Sequence, residues 1–156
     1  DVMLEQALWV SEKPPLRVLT MQTQWGSCSP AGRLTLNPHL VKAPRDCIDY
    51  VILHELCHID RHFGSDQTAF ISIDGLYSND PREREANEFA RQMLIPDEVW
   101  NEMMSVGCNS LSPYKIAKTI AQAAGSRGIS PSIAVARYKH DTKWYNTSSY
   151  RSPKIF

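Results

Sequence analysis

The sequence predicts an α+β fold, and three observations carry that expectation. Short β-favouring runs are confined to residues 16–36, apolar residues recur at helical spacing from Pro44 onward, and proline or glycine clusters punctuate the chain between them. With 156 residues the chain is expected to form one domain, 1–156, large enough to bury a core. Its 42% hydrophobic and 22% charged residues are ordinary for a globular protein. The formal net charge is zero, so no global basic field argues for direct nucleic-acid binding. No apolar run is long enough to span a bilayer.

The start, Asp1-Val2-Met3-Leu4, has no initiator methionine and no signal-peptide pattern. It reads as the interior of a helix, so a trimmed piece of a longer chain is expected. Residues 1–13 suggest a short amphipathic helix, cut by Pro14-Pro15. Leu16 to Gln24 is strand-like, with Val18, Thr20 and Thr23 favouring an extended chain. Gly26, Ser27, Ser29, Pro30 and Gly32 cluster as turn chemistry. Leu34-Thr35-Leu36 is a second short strand, closed by Asn37-Pro38, and the two strands are expected to pair as a hairpin with a long loop.

Pro44 suits the first turn of a helix. Ile48, Val51, Ile52, Leu56 and Ile59 follow at helical spacing and should line its buried face. Residues 63–79 read as a connection, with a short strand at Ala69 to Ile73. Asp80-Pro81 opens the next helix, with Asp80 as N-cap and Pro81 at the first position. Ala86, Phe89, Ala90, Met93 and Leu94 form its apolar face, and Pro96 stops it. Further helices are expected at 97–104, 113–124 and 130–137, before a tail from Asp141.

The strongest chemical signal is His54-Glu55-Leu56-Cys57-His58, an H-E-x-x-H on the first of these helices. Residues four apart stack on one helix face, so both imidazoles can reach one ion. Neutral imidazole suits Zn²⁺. Glu55, next to the first imidazole, is placed to take a proton from an attacking water as general base. The flanking Val51-Ile52-Leu53 is apolar, and two histidines and a glutamate in such surroundings are costly unless a metal or hydrogen bonds satisfy them.

A catalytic zinc needs a third protein ligand and an open position. Glu83 and Glu85 are the nearest acids on the next helix. At about 100° per residue, Glu83 lies roughly 50° from the centre of the apolar face and Glu85 roughly 110° away. Glu83 is therefore the better third ligand. Its competing role is a capping box with Asp80. Asn87, one turn on, is placed to hydrogen-bond a ligand imidazole from behind. His62, one turn beyond His58, either caps carbonyls or replaces Glu83 if the helix breaks. His39 follows Pro38 in a loop and reads as solvated. His140 is a further catalytic candidate: it, Arg137 or Tyr138 would stabilise an oxyanion by folding back, although a plain surface cluster is the favoured reading of each.

The residues resemble two groups of metallopeptidases. Trp25-Gly26-Ser27-Cys28-Ser29, Gly32-Arg33-Leu34-Thr35-Leu36-Asn37 and Tyr50 to His58 resemble the YgjP/SprT-like zinc peptidases, a likeness covering about residues 1–53 and the motif itself. Glu83-Arg84-Glu85-Ala86-Asn87-Glu88-Phe89-Ala90, Met93-Leu94-Ile95-Pro96 and Ser130 to His140 resemble the ImmA/IrrE regulatory metallopeptidases, a likeness over about 54–140. That family's E-x-x-A-N-x-F-A signature begins with the third zinc ligand, so this resemblance also selects Glu83. Where YgjP-like enzymes carry a third-ligand histidine, this chain reads His62-Phe63-Gly64-Ser65 and departs from their pattern.

Both resemblances imply a minimal zincin core of the gluzincin-like kind: a small antiparallel sheet on the H-E-x-x-H helix, a following ligand helix, and C-terminal helices. They imply a zinc metalloendopeptidase acting on a peptide or protein. Arg33, Leu34, Thr35, Leu36 and Asn37 would be the sheet edge to which an extended peptide adds. The ImmA/IrrE likeness implies a DNA-binding repressor as substrate, on a separate chain or in a missing part of this one, because no helix-turn-helix is evident. The rival expectation is a zinc-stabilised, antitoxin-like interaction module that binds without cutting. Glu55 argues against it, since a purely structural site needs no base. The four cysteines, Cys28, Cys47, Cys57 and Cys108, form no C-x-x-C pair. They read as free thiols of a reducing, cytoplasmic compartment.

Overall fold

The computed structural model describes residues 13–62, 80–105 and 112–143. The helix expected before Pro14, the strand expected at Ala69 to Ile73, Cys108 and the tail after Lys143 lie outside the described residues. The chain divides into two compact units, Asp1–Ala90 and Arg91–Phe156.

Among the described residues the first unit carries three short strands, β1 (Leu16–Val18), β2 (Gly26–Cys28) and β3 (Leu34–Leu36), in the order β1-β3-β2. The fold is α+β, but the sheet is mixed rather than antiparallel throughout. β1 runs parallel to β3, with Leu16 opposite Leu34 and Val18 opposite Leu36. β2 is the antiparallel partner, with Gly26 opposite Leu36 and Cys28 opposite Leu34. The expected hairpin therefore forms between different segments. The Gly26-Ser27-Cys28 run, read as turn chemistry, is itself the strand. The turn proper is at Ser29 to Arg33, where Gly32 adopts φ +73° and its N–H donates to Ser29 O at 2.8 Å.

Asn37 ends β3 and starts a short 3₁₀ turn, Pro38–Lys42. Its Nδ2 donates to Met21 O and Gln24 O, both at 2.8 Å, while Oδ1 accepts from His39 N–H at 3.1 Å. This one buried amide pins the β1–β2 connection to the sheet and caps the turn. Helix α1 (Arg45–Cys57) follows, with Pro44 just outside it. A single π-helical turn, His58–His62, then extends α1. The buried stripe of α1 runs through Cys47, Tyr50, Leu53, His54, Leu56 and Cys57. It is rotated from the expected one, and Ile48, Val51, Ile52 and Ile59 are half-buried. So apolar a helix offers several stripes at helical spacing, and only packing selects among them.

Helix α2 (Pro81–Leu94) begins after Asp80, whose Oδ1 accepts from Arg82 N–H at 2.8 Å. The boundary between the two units falls inside α2, after Ala90. The second unit contains α3 (Asp97–Ser105), α4 (Pro113–Gly125) and α5 (Pro131–Thr142). Their core is Ile95, Trp100, Met103, Ala117, Ile120, Ala124, Ile133, Ala134, Val135 and Tyr138. The last helix runs five residues past its expected end at Arg137. Arg137 itself is buried: Nη1 donates to Ile95 O at 2.6 Å, Nη2 bonds Asp97 Oδ1, and the guanidinium lies 4.6 Å over the Trp100 ring. Its oxyanion role is thereby excluded, because the guanidinium is committed to closing this core. Among the described residues no helix is long and apolar enough to cross a membrane.

Candidate metal centre

The geometry of the centre follows from two helices of the first unit. Four residues make a little more than one turn of α1, so His54 and His58 present their rings side by side, with centroids 4.9 Å apart. Their Nε2 atoms are 3.2 Å apart. The first turn of α2 directs Glu83 inward: it is 9% exposed, whereas Glu85 points outward. Glu83 Oε2 lies 3.2 Å from His54 Nε2 and Oε1 lies 3.4 Å from His58 Nε2. The Glu83 carboxylate faces the imidazoles instead of reaching back to Asp80, so the capping box does not form.

Among the described residues, the group of histidine, cysteine and acid side chains able to converge on one cation is His54, His58 and Glu83. Two atoms bound tetrahedrally at 2.0–2.2 Å from a zinc ion stand about 3.3–3.6 Å apart. The three observed separations fall on or just below that range. Glu83 Oε1 is buried with no hydrogen bond among the described residues, a costly state for a carboxylate oxygen that a cation would relieve. The donor set of two imidazoles and one carboxylate is a zinc set. The residues present therefore fit the metal.

The electrostatics agree with a site built for positive charge. Burial disfavours the Glu83 carboxylate, but the adjoining His54 and His58 rings overcome it and hold the acid well below the usual carboxylate range. Burial also opposes charging of His54, yet Glu83, Glu55 and Asn87 raise its pKa. For His58 burial wins, helped by the neighbouring His54 and His62, and the ring stays neutral more readily. Neutral imidazole is the form that binds a metal.

Glu55 is 3% exposed and lies against β2. A Cβ on Gly26 would stand 2.8 Å from Glu55 Cγ, 2.8 Å from Oε1 and 2.7 Å from Val51 Cγ1, so only glycine lets the strand approach α1 this closely. Cys28, two residues on, directs its thiol to the same carboxylate. Burial first, then Glu55, pushes that thiol far above the ordinary cysteine value. Cys47 and Cys57 are pushed up to about 11, chiefly by burial. All three are free, buried thiols, and among the described residues none joins the group that converges on one cation. Sequence reading missed Gly26 and Cys28 as neighbours of Glu55. Their turn-like surroundings hid the strand.

Asn87 Oδ1 accepts from Tyr50 OH at 2.5 Å, tying α2 to α1 beside the His54 ring. His54 Nδ1 itself has no hydrogen bond of standard length among the described residues. His62 does not serve as a mere carbonyl cap: the π turn sets its Nδ1 2.8 Å from His58 Nδ1, on the far side of that ring from Glu83. The expected edge at Arg33 to Asn37 is corrected. β3 is the central strand, hydrogen-bonded to β1 on one side and β2 on the other, so it has no edge to offer a peptide. Leu34 is core, and the Asn37 amide is fully engaged. Among the described residues the outer strands are β1 and β2. His140 belongs to the second unit, where its half-exposed ring has Nδ1 3.3 Å from Asp141 Oδ1.

Two imidazoles and a carboxylate at zinc-ligand spacing, with a second glutamate beside them, define the class of site found in zinc metallopeptidases. Residues 4–66 match the family model of the YgjP-like metallopeptidase domain. The match supports a metallopeptidase in general. It covers the strands and the H-E-x-x-H and ends before Glu83. No curated protein and no solved structure matches the chain.

Proposed function

We propose that the chain is a zinc-dependent metalloendopeptidase in which His54, His58 and Glu83 hold the metal and Glu55 is the general base. The observation that carries this reading is the convergence of two Nε2 atoms and one carboxylate within 3.2–3.4 Å. Zinc, when bound, supplies Lewis acidity toward a peptide carbonyl and makes water easier to deprotonate. Glu55 accepts the proton of the attacking water and delivers it to the leaving amine. The Cys28 thiol, held protonated against Glu55, donates to its carboxylate and helps fix its direction. Tyr50 and Asn87 brace the ligand helix against α1.

The substrate we propose is a DNA-binding repressor. The E-x-x-A-N-x-F-A run from Glu83 to Ala90, similar to that of the ImmA/IrrE regulatory peptidases, supports this finer reading. The test is proteolysis by the wild type and by Glu55→Gln at equal zinc occupancy. The reading expects cleavage by the wild type and a loss of about 10²–10⁴-fold in the variant. Cleavage by neither, across a panel of repressors and unfolded proteins, overturns it in favour of a binding module, and equal cleavage by both removes Glu55 as the base.

A further inference from the structure

His62 stands on the side of His58 that faces away from the centre. Its Nδ1 is 2.8 Å from His58 Nδ1, and its Nε2 is 3.2 Å from Glu85 Oε2. The His62 side chain is 7% exposed, so water competes little for its contact with His58, while Glu85 on the other side is 45% exposed. Glu85 is held in turn: its Oε1 accepts from Arg61 Nη1 at 2.8 Å, and the Arg61 guanidinium lies 4.9 Å over the Phe89 ring.

The 2.8 Å separation is a hydrogen bond and is shorter than the roughly 3.3 Å between two ligands of one ion. One Nδ1 must therefore donate to the other. His58 Nε2 faces His54 Nε2 and Glu83 Oε1. A ring offering its Nε2 lone pair to a cation carries its proton on Nδ1. His62 Nδ1 is then the acceptor, the His62 proton sits on Nε2, and that N–H donates to Glu85. Every donor meets an acceptor. The opposite assignment sends the His58 proton toward the cation and sets the bare His62 Nε2 lone pair against a carboxylate oxygen.

We propose that His62, oriented by Glu85, is a positioning residue that fixes the Nδ1–H tautomer of His58 and so presents the Nε2 lone pair to zinc. This rests on the zinc centre proposed above and extends it by two residues. Glu85, which the helical phase excludes as a ligand, acquires a role through its outward direction, because that is where His62 and Arg61 reach it.

The experiment compares the full chain with His62→Leu, His62→Gln and Glu85→Ala. It reads zinc affinity by chelator competition and histidine tautomers by long-range ¹H–¹⁵N correlation. His62→Leu is expected to weaken zinc binding about 10–100-fold. His62→Gln, whose side chain keeps one acceptor for His58 and one donor for Glu85, recovers most of that loss. Glu85→Ala, at a half-exposed position that does not threaten folding, weakens binding in the same direction by less. Zinc-loaded wild type shows His58 protonated on Nδ1. Equal affinity for all four proteins, a Gln variant as weak as Leu, or His58 bound through Nδ1 overturns the relay while leaving the zinc centre intact. Failure of the wild type to take up zinc overturns the centre itself, and the relay with it.

Discussion

Gly26 and Glu55 approach so closely that a Cβ on the strand would stand 2.8 Å from both the Cγ and the Oε1 of the glutamate. The base of the proposed reaction is thus shaped by a residue with no side chain. Gly26→Ala forces Glu55 and Val51 to move. It is expected to cost about 1–3 kcal/mol of stability in denaturant unfolding. Because Gly26 lies against Glu55 and Val51, zinc affinity should change only a few-fold. Peptidase rate should fall by about 10²-fold, the scale on which a misplacement near 1 Å acts.

Glu83 and Glu85 are two residues apart on α2, one buried between imidazoles and the other half-exposed. Glu83→Ala is expected to weaken zinc binding by more than the roughly 100-fold upper range for residues that only orient ligands. Isothermal titration of zinc into both single variants gives the comparison. A Glu83→Ala protein that binds zinc as tightly as Glu85→Ala contradicts the ligand assignment.

Removal of zinc should destabilise the chain, because two imidazoles and a buried carboxylate then face one another without a cation. At free zinc 100-fold above the dissociation constant, linkage predicts about 2.7 kcal/mol of added stability. Thermal unfolding in a chelator series should show the midpoint climbing with free zinc. A midpoint independent of zinc contradicts the site.

Asp97 accepts from Arg137, and this hydrogen bond first, opposed by slight burial, holds its carboxyl below the ordinary value of 3.8. A carboxyl depressed in the fold stabilises it fully above its unfolded pKa, and that stability is lost as pH falls through the folded value. Stability of chelator-treated protein should therefore decline below about pH 4, the region of the ordinary carboxyl. Asp97→Asn should start lower and flatten that acid limb. An unchanged acid limb in the variant removes Asp97 from the account.

Much of the site was legible along the chain because its parts are local. The two imidazoles come from one helix at i and i+4. The inward direction of Glu83 follows from the phase of Ala86 and Ala90, both fully buried. The helices of the second unit were also legible from their prolines, at positions 113 and 131, and from their apolar spacing. What stayed hidden was non-local. β2 looked like a turn because Gly26 and Ser27 are poor strand residues, and the pressure for glycine there comes from α1, not from the strand. His62 looked like a helix end because the π turn that carries it has no signature in composition.

By itself, the sequence determined where the described helices begin, which residues have metal chemistry, and which acid of α2 turns toward the apolar face. These are consequences of short-range geometry, the 3.6-residue period and the fixed φ of proline. The tertiary structure alone decided that β3 is central, that β1 runs parallel to it, which stripe of α1 is buried, and that Glu85 and His62 meet behind His58. Those outcomes depend on how distant segments pack, and many pairings satisfy the same local pattern until burial and hydrogen-bond satisfaction choose one.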